Sequence, residues 1–399
     1  MTEKFRLLAY LTTVLVLATL NVQANSVDDE QFAVASIIQL PAGQSLASFD
    51  ISFVDSIDSV KGTYILADRT NRSVDVVDAR TNTVINQLTP GFIGFTGDNN
   101  TSGPNGVLVV NHSQVWAGDG DSTVKVIVLQ PKGGRLIANI STGGTARADE
   151  LCYDPNEQLI LVANDADDPP FVTFVSSTSH TILKQIKMDG NNGTPQATNG
   201  IEQCQWDPRT GKFYLNIPQV GGTPGTNNTP GVVLQIDPVS EDIENTFLLA
   251  STDCRGNQGM AIGPDHQILL GCSNTGTDSV IIDERNGDVL VALPGESGSD
   301  EVWYNPGDNH YFLANGNRKT GATLSPQLGV VDPMASEGTN EDPSATSALG
   351  SHSVAADPLT NQVYVPVNNK TSGGALTGIC GAHGGDDSKG CIAIFRATK

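Results

Sequence analysis

Short apolar runs separated by turn residues recur along the chain, and their order repeats about every 50 residues. Each repeat has an apolar run ending in Asp-Pro or Asn-Pro, a turn, a second apolar run, a loop, and a third run ending in Asp. The phrase occurs at Asp154-Pro155, Asp207-Pro208, Asn305-Pro306 and Asp357-Pro358. Runs bounded by Gly, Asn, Asp and Pro are typical of β-strands. A period of about 40 to 50 residues built from strands alone predicts a propeller with one four-stranded sheet per repeat.

The two ends of the chain indicate how the ring closes. We count about seven repeats, the first beginning near Phe49 and the last near His352. The last repeat stops after its third strand, and an apolar strand at residues 32–40 precedes the first repeat. Closure of a ring removes exposed sheet edges. We therefore predict an all-β protein, a seven-bladed β-propeller of four-stranded antiparallel blades closed by an N-terminal strand.

The amino terminus has the features of an export signal. Lys4 and Arg6 precede an apolar run over residues 7–20, and Val22-Gln23-Ala24 supplies small residues for cleavage. We interpret residues 1–24 as a secretory signal peptide, with an uncleaved membrane helix as the alternative. Residues 25–399 are predicted to form a single propeller domain. The expected location is secreted or periplasmic, and no other stretch approaches the ~20 apolar residues of a membrane span.

Charge and cysteine content narrow the class of partner. A formal net charge of −22 repels nucleic acid and anionic lipid and attracts cations, so we expect no nucleic-acid partner. We also expect a monomer. The six cysteines suit an oxidising compartment, and the repeat frame suggests the pairs Cys152–Cys204, Cys254–Cys272 and Cys380–Cys391. For the first pair, buried free thiols are the alternative.

One segment carries a resemblance to a known family. Residues 64–84, YILADRTNRSVDVVDARTNTV, resemble the YVTN-type propeller repeat, and weaker copies cover nearly the whole predicted mature chain. The resemblance implies the propeller fold and leaves function open. Similar propellers include surface and periplasmic proteins of unknown role, lactonases, haem d1 domains and streptogramin lyases.

The register of the repeat predicts which side chains meet at one face of the channel. The residue five before each Asp-Pro phrase begins an innermost strand, so these residues should line the channel mouth. They are Asp50, Asp149, Glu202, Gln258, Asp300 and His352, with Asn105 or Gly106 in the divergent second repeat; Glu150 and Glu301 adjoin two of them.

Such a ring of acids favours either a cation or a set of strand-capping groups that hold water. We predict a divalent cation, Ca²⁺ or Mg²⁺ before Mn²⁺ or Zn²⁺, on Asp50, Asp149, Glu202, Asp300 and His352. His352 is also the candidate general base, with an ordinary hydrogen-bonded histidine as the alternative. No haem or nucleotide cofactor is expected, because neither a haem-attachment motif nor a phosphate loop occurs.

Two functions remain open on these grounds. The first is metal-assisted hydrolysis or lysis of a small molecule, by analogy with lactonases, in which a cation would polarise a carbonyl. The second is a non-catalytic propeller that binds a small molecule, protein, glycan or metal at the channel-mouth face. Trp116, Trp206 and Trp303 are predicted to pack between blades, with stacking on a sugar as the alternative.

Overall fold

A computed structural model describes the chain over residues 31–58, 61–130, 132–250, 254–274, 276–320, 323–333, 351–369 and 378–398. The predicted signal peptide, residues 1–24, lies outside this part of the chain. Strand β1 (Gln31–Ile38) comes first. Blade 1 follows, with β2 (Ser52–Asp58), β3 (Lys61–Asp68), β4 (Ser73–Asp78) and β5 (Thr83–Leu88).

The next three blades repeat this antiparallel order of four strands. Blade 2 contains β6 (Val107–Val110), β7 (Gln114–Asp119), β8 (Thr123–Val128) and β9 (Arg135–Ser141). Blade 3 contains β10 (Leu151–Asp154), β11 (Leu159–Asn164), β12 (Phe171–Ser176) and β13 (Ile182–Lys187). Blade 4 contains β14 (Cys204–Asp207), β15 (Lys212–Ile217), β16 (Val232–Asp237) and β17 (Asp242–Leu248).

The last three blades complete the ring. Blade 5 contains β18 (Asn257–Ile262), β19 (Gln267–Cys272), β20 (Ser279–Asp283) and β21 (Val289–Leu293). Blade 6 is described over β22 (Val302–Asn305), β23 (His310–Asn315) and β26 (Gln327–Val331), with a hairpin of β24 (Lys319–Thr320) and β25 (Thr323–Leu324) inserted. Blade 7 contains β27 (Ala355–Asp357), β28 (Gln362–Val367) and β29 (Cys391–Thr398).

Strand β1 is the fourth strand of blade 7, as the sequence predicts. It pairs antiparallel with β29, so the beginning of the described chain and its end share one sheet. The inner strands contact one another in the cyclic order β2, β6, β10, β14, β18, β22 and β27, and β27 returns to β2. The protein is therefore an all-β, seven-bladed propeller of four-stranded antiparallel blades, and six blades have all four strands within the described residues.

Helical structure in the described residues is limited to two short turns. These are a 3-10 turn, Asn99–Thr101, and one turn of α-helix, α1 (Ile379–Ala382). Neither is long or apolar enough to cross a membrane, and no other helix occurs in the part of the chain that is described.

The repeating Asp-Pro phrase has a structural cause. The Asp or Asn side chain at the end of an inner strand accepts a backbone N–H two residues later; the Asp154 Oδ1 to Asn156 N distance is 2.7 Å, and the Asp207 Oδ1 to Arg209 N distance is 2.9 Å. The fourth residue after it has a positive φ, 53° at Gln158 and 67° at Gly211. The phrase is thus the turn that reverses each first strand into the second.

Apolar side chains pack between neighbouring blades rather than in one central core. One cluster joins Leu161 and Phe174 of blade 3 to Phe213 and Leu234 of blade 4. Tyr64 of blade 1 stacks on Tyr364 of blade 7 with ring centroids 4.6 Å apart. Each blade therefore buries both faces against its neighbours, which leaves the channel walls to the edges of the inner strands.

All three predicted disulfides are present. Cys152–Cys204 joins the inner strands of blades 3 and 4, Cys254–Cys272 lies in blade 5, and Cys380–Cys391 links the α1 segment to β29. No free cysteine remains within the described residues, so the alternative of buried thiols is wrong.

The three tryptophans do not share one environment. Trp116 is fully buried and packs between blades 2 and 3, as predicted. Trp206 and Trp303 are half-buried; both pack on interblade clusters, and both also border the central channel. For these two, the prediction covers only part of what the side chains do.

Candidate functional site

The predicted channel-mouth residues converge on one cavity. Asp50, Asp149, Glu202 and Asp300 each stand two residues before an inner strand, and His352 stands three residues before β27. All five line a cavity of about 200 Å³, together with Gln258, Glu150 and Glu301. The register of the repeat therefore placed these side chains together, although whether they hold a metal or take part in catalysis is a separate question.

Two arginines that the sequence analysis did not single out are built into this ring of acids. Arg69 follows β3, and its side chain is only 4% exposed. It makes an ion pair with Asp50 and donates to the Asn105 Oδ1 atom from Nε at 3.1 Å and from Nη2 at 2.6 Å. The guanidinium thus neutralises one predicted metal ligand and ties blade 1 to blade 2.

Arg147 is a second buried arginine at the mouth. Its Nη2 atom lies 2.7 Å from Oδ2 of Asp149 and 2.7 Å from Oδ2 of Asp165. Burial lowers the pKa of Arg147, but the charges of Asp149 and Asp165 outweigh burial and raise it well above its ordinary value. Arg147 is two residues before Asp149, and this spacing in an extended segment is the sequence signal that could have identified it.

The divergent second repeat contributes an amide rather than an acid. Asn105 accepts from Arg69 and donates through Nδ2 to the Ala148 carbonyl at 3.0 Å. A Cβ on Gly106 would lie 2.0 Å from the Asp149 carbonyl oxygen, so only glycine fits there. Of the two residues left open by the sequence, Asn105 is the polar one at the mouth, and Gly106 permits close backbone approach.

Below the mouth, two glutamates share a hydrogen bond in the channel. Glu150 and Glu301 are 4% and 5% exposed, and each side chain hydrogen-bonds the other. Burial, followed by the charge of the partner glutamate, raises the pKa of Glu150 well above its ordinary range; burial also raises the pKa of Glu301. Two such carboxyls hold at least one proton between them, because the doubly ionised pair would be repulsive.

The remaining acids face the cavity without a guanidinium ion pair. The Oε1 atom of Glu202 accepts from Gln258 Nε2 at 3.1 Å, and burial raises the pKa of Glu202 well above normal. Asp300 Oδ2 lies 3.4 Å from Nδ1 of His352. Asp149 differs from these two because it pairs with Arg147, but burial raises its pKa to about 8 against the lowering effect of that arginine. Ionisation of Glu202 and Asp149 is therefore held back by desolvation and by the charges of neighbouring acids.

His352 is held between two acids. Its Nε2 atom is 3.7 Å from Oδ1 of Asp50, its Nδ1 atom contacts Asp300, and its ring stacks on Phe49 with centroids 5.3 Å apart. Burial lowers the pKa of His352, but the hydrogen bond and charge of Asp300 outweigh burial and raise it. The imidazole therefore favours its cationic form more than a free histidine does.

The arrangement of acids differs from a ready-made metal site. Within the described ranges, no group of three or more His, Cys, Asp or Glu side chains is arranged to hold a metal ion. Two of the five predicted ligands, Asp50 and Asp149, already pair with arginines. A hard divalent ion takes six to eight oxygen ligands, roughly, so these ion pairs would have to open to supply them.

Comparisons with known proteins support the fold alone. No protein-family model matches the chain, and no curated protein does, so the YVTN-type assignment stays a prediction. A chain in the crystal structure of the mitotic checkpoint complex is 12% identical with a TM-score of 0.61, and 99% of each chain is covered. The Neurospora crassa Pan2 WD40 domain is 11% identical with a TM-score of 0.59, over 93% of this chain and 97% of that one.

A third solved structure is similar in fold. Kuenenia stuttgartiensis hydrazine synthase is 13% identical with a TM-score of 0.58, over 82% of this chain and 96% of the matched chain. At these identities the likeness concerns the path of the backbone. The comparisons thus show a β-propeller fold for the chain.

Proposed function

We propose that the protein is an exported, non-catalytic binding propeller whose mouth takes a small cationic molecule. The observation that carries the proposal is the excess of acidic over basic side chains in the cavity. Six acids, Asp50, Asp149, Glu150, Glu202, Asp300 and Glu301, line it with one arginine, Arg147, and one histidine. A cation placed among these acids would offset their mutual repulsion, which supports this class of ligand.

An organic ammonium or guanidinium group suits the free acceptors better than a bare metal ion. Glu202 and Asp300 keep carboxylate oxygens without an ion pair to an arginine, and they lie two residues before the inner strands of blades 4 and 6. An ammonium group donates up to three hydrogen bonds and needs no closed shell of oxygens. Two carboxylates and the Gln258 amide are enough to orient it, while Arg69 and Arg147 keep their present partners.

Calorimetric titration tests both kinds of cation on the same protein. The probes are methylammonium, choline and putrescine in one arm, and Ca²⁺, Mg²⁺, Mn²⁺ and Zn²⁺ in the other. We expect an amine to bind and the Glu202→Gln/Asp300→Asn variant to bind it at least about tenfold more weakly, since each removes a charge-assisted hydrogen bond. Glu157→Gln, an exposed acid far from the mouth, is the matched control.

The experiments with metal ions test whether the predicted divalent-cation site exists. Metal analysis of the purified protein, with a thermal-shift measurement in EDTA, addresses Asp50, Asp149, Glu202, Asp300 and His352 as ligands. Metal in the protein and a lower melting temperature in EDTA would favour the metal site over the amine site. Binding of neither kind of cation would refute the proposal.

A second candidate function rests on the contact between His352 and Asp300. A histidine with a raised pKa beside a cavity is suited to move a proton in lactone hydrolysis or a lyase reaction. In this reading a divalent cation would polarise the substrate carbonyl, and His352 would exchange the proton. A lactone panel with wild type and His352→Ala tests it; equal activity in the two proteins, or no activity in either, removes His352 from the mechanism.

Export is part of the proposal. The three disulfides are consistent with an oxidising compartment outside the cytosol, secreted or periplasmic. Mass spectrometry of the protein from its native host should find a mature terminus near residue 25. Light scattering should find a monomer. A terminus at residue 1 would contradict cleavage of the signal.

A further inference from the structure

The channel has a second cavity at the end opposite to the polar mouth. It has a volume of about 330 Å³ and is bordered by Val107, Val109, Tyr153, Pro155 and other residues within or just after the inner strands. Among the residues of blade 3 that line it, Glu150 and Cys152 are 4% and 6% exposed, whereas Tyr153 is partly exposed and Pro155 is exposed. The cavity therefore opens on the face where the inner strands end, away from the mouth.

Its walls are aromatic and apolar. Phe53, Tyr153, Trp206 and Trp303 border it, and the rings of Phe53 and Trp303 meet edge to face with centroids 5.6 Å apart. All four are only partly buried, although side chains of this size gain most from complete burial. A flat ligand between them would cover area that now faces water.

The lining of the cavity contains a single acid and no base. Glu150 is that acid, and burial holds its pKa well above its ordinary range, whereas no Lys, Arg or His borders the cavity. Burial of an unpaired ligand charge against such walls would be costly. The lining therefore selects an uncharged molecule.

The lining offers an oriented hydrogen-bond donor. Gln203 and Gln205 both border the cavity from the inner edge of blade 4. The Oε1 atom of Gln205 accepts the Ile262 backbone N–H at 2.9 Å, which fixes which end of the amide is the acceptor. Its NH₂ group is then the end that can donate to a ligand.

We propose that this apolar end of the channel binds a small, uncharged aromatic molecule that carries a hydrogen-bond acceptor. The volume is at the lower end of the roughly 300–1,000 Å³ of small-molecule sites, so it suits one ring system rather than a peptide. A sugar fits less well, because its hydroxyl groups would be buried with few partners. The site shares only Ile51 and Glu150 with the cavity at the mouth, and it needs neither the ligand nor the chemistry proposed there.

Fluorescence titration with prodan, an uncharged naphthyl ketone, tests the proposal. Prodan emission moves to shorter wavelength in an apolar site, and we expect saturable binding to the wild-type protein. Naphthalene should compete, whereas naphthalene sulfonate and methyl glucoside should not. Absence of saturable binding, or competition by methyl glucoside in place of naphthalene, would overturn the proposal.

Two variants locate the binding. Gln205→Glu keeps the acceptor for Ile262 but puts a carboxylate on the apolar wall, and should weaken prodan binding about tenfold. Gln31→Glu adds the same charge at an exposed position of β1 and should leave binding unchanged. Trp206→Leu, which shortens a wall without adding charge, should weaken it about fivefold.

Prodan binding should not depend on the acids at the mouth of the channel. Asp300→Asn should leave prodan affinity at the wild-type value, because Asp300 borders only the polar cavity of the two. Equal affinity of wild type, Gln205→Glu and Trp206→Leu would refute the site. Loss of prodan binding in Asp300→Asn alone would place the probe at the mouth and would also refute it.

Discussion

The two ends of the channel are built from the same seven inner strands, yet they differ in chemistry. The mouth cavity is bordered by six acids, an arginine and a histidine, whereas the opposite cavity is bordered by four aromatic rings and a single acid, Glu150. Ile51 and Glu150 border both. The difference follows from position along each strand: polar residues precede the strand, and apolar residues continue it to the turn. Because both positions repeat around the ring, the channel has a polar environment at one end and an apolar environment at the other.

The largest effect is expected from removal of the buried cation at the mouth. Arg147→Met leaves Asp149 and Asp165 without their shared partner, and we expect the free energy of unfolding to fall by about 3 to 5 kcal/mol. Denaturant unfolding measures it. Arg285→Met removes an exposed ion pair with Asp283 and should change little. Equal effects in the two variants would contradict a structural role for Arg147.

At the apolar end, a disulfide stabilises the fold where ion pairs of Arg147 do so at the mouth. Cys152→Ser/Cys204→Ser removes the link between blades 3 and 4 and should cost about 3 kcal/mol by freeing the unfolded chain. Cys380→Ser/Cys391→Ser opens a loop with a sequence separation of 11 rather than 52, so its loss should be smaller. Unfolding without reductant gives both values, and a reversed order would be inconsistent with loop closure as the cause.

The layer between the two ends should make stability depend on pH. Because the pKa values of Glu150 and Glu301 are raised in the folded state, the folded protein holds protons that the unfolded chain releases. Their stabilising effect is present below the unfolded pKa of about 4.3 and is lost as pH rises through the folded pKa values. As the pH rises from about 5 to about 8, the free energy of unfolding of Glu150→Gln should fall by about 1 to 2 kcal/mol less than that of the wild-type protein.

Urea unfolding at several pH values checks this slope. Glu157→Gln, an exposed acid on another turn, should keep the wild-type slope. A Glu150→Gln slope equal to that of wild type would mean that the glutamate pair does not hold a proton in the folded state.

The smallest effect is expected at His352. Its raised pKa means that its contribution is complete below the unfolded value of about 6.5 and is lost as pH rises through the folded value. We expect His352→Asn to lower stability by about 1 kcal/mol near pH 5.5 and by less near pH 9. His383→Asn, at an exposed position, should show no such dependence. A pH-independent loss at His352 would indicate packing on Phe49 instead of charge.

Much of the fold could be predicted because the residues within each repeat determine the strands and turns of that repeat. The Asp154 and Asp207 turns, the closing strand and the three cysteine pairs all follow from residues close in sequence or from one repeated register. The same register placed Asp50 and His352 at one mouth. It did not identify Arg69 or Arg147, since neither occupies the repeated position and the acids that they pair with, Asp50 and Asp165, lie 19 and 18 residues away in the chain.

The sequence by itself determined the number of blades, the closure of the ring and the end of the channel at which acids collect, because these depend on periodicity. Only the tertiary structure decided how those acids are neutralised, since Arg69 and Arg147 pair with Asp50 and Asp165, which lie 19 and 18 residues away in the chain, and Glu150 contacts Glu301 of a different blade. The aromatic cavity also belongs to the structure alone. Trp206 and Trp303 are far apart in the chain, and only the ring brings them to one opening.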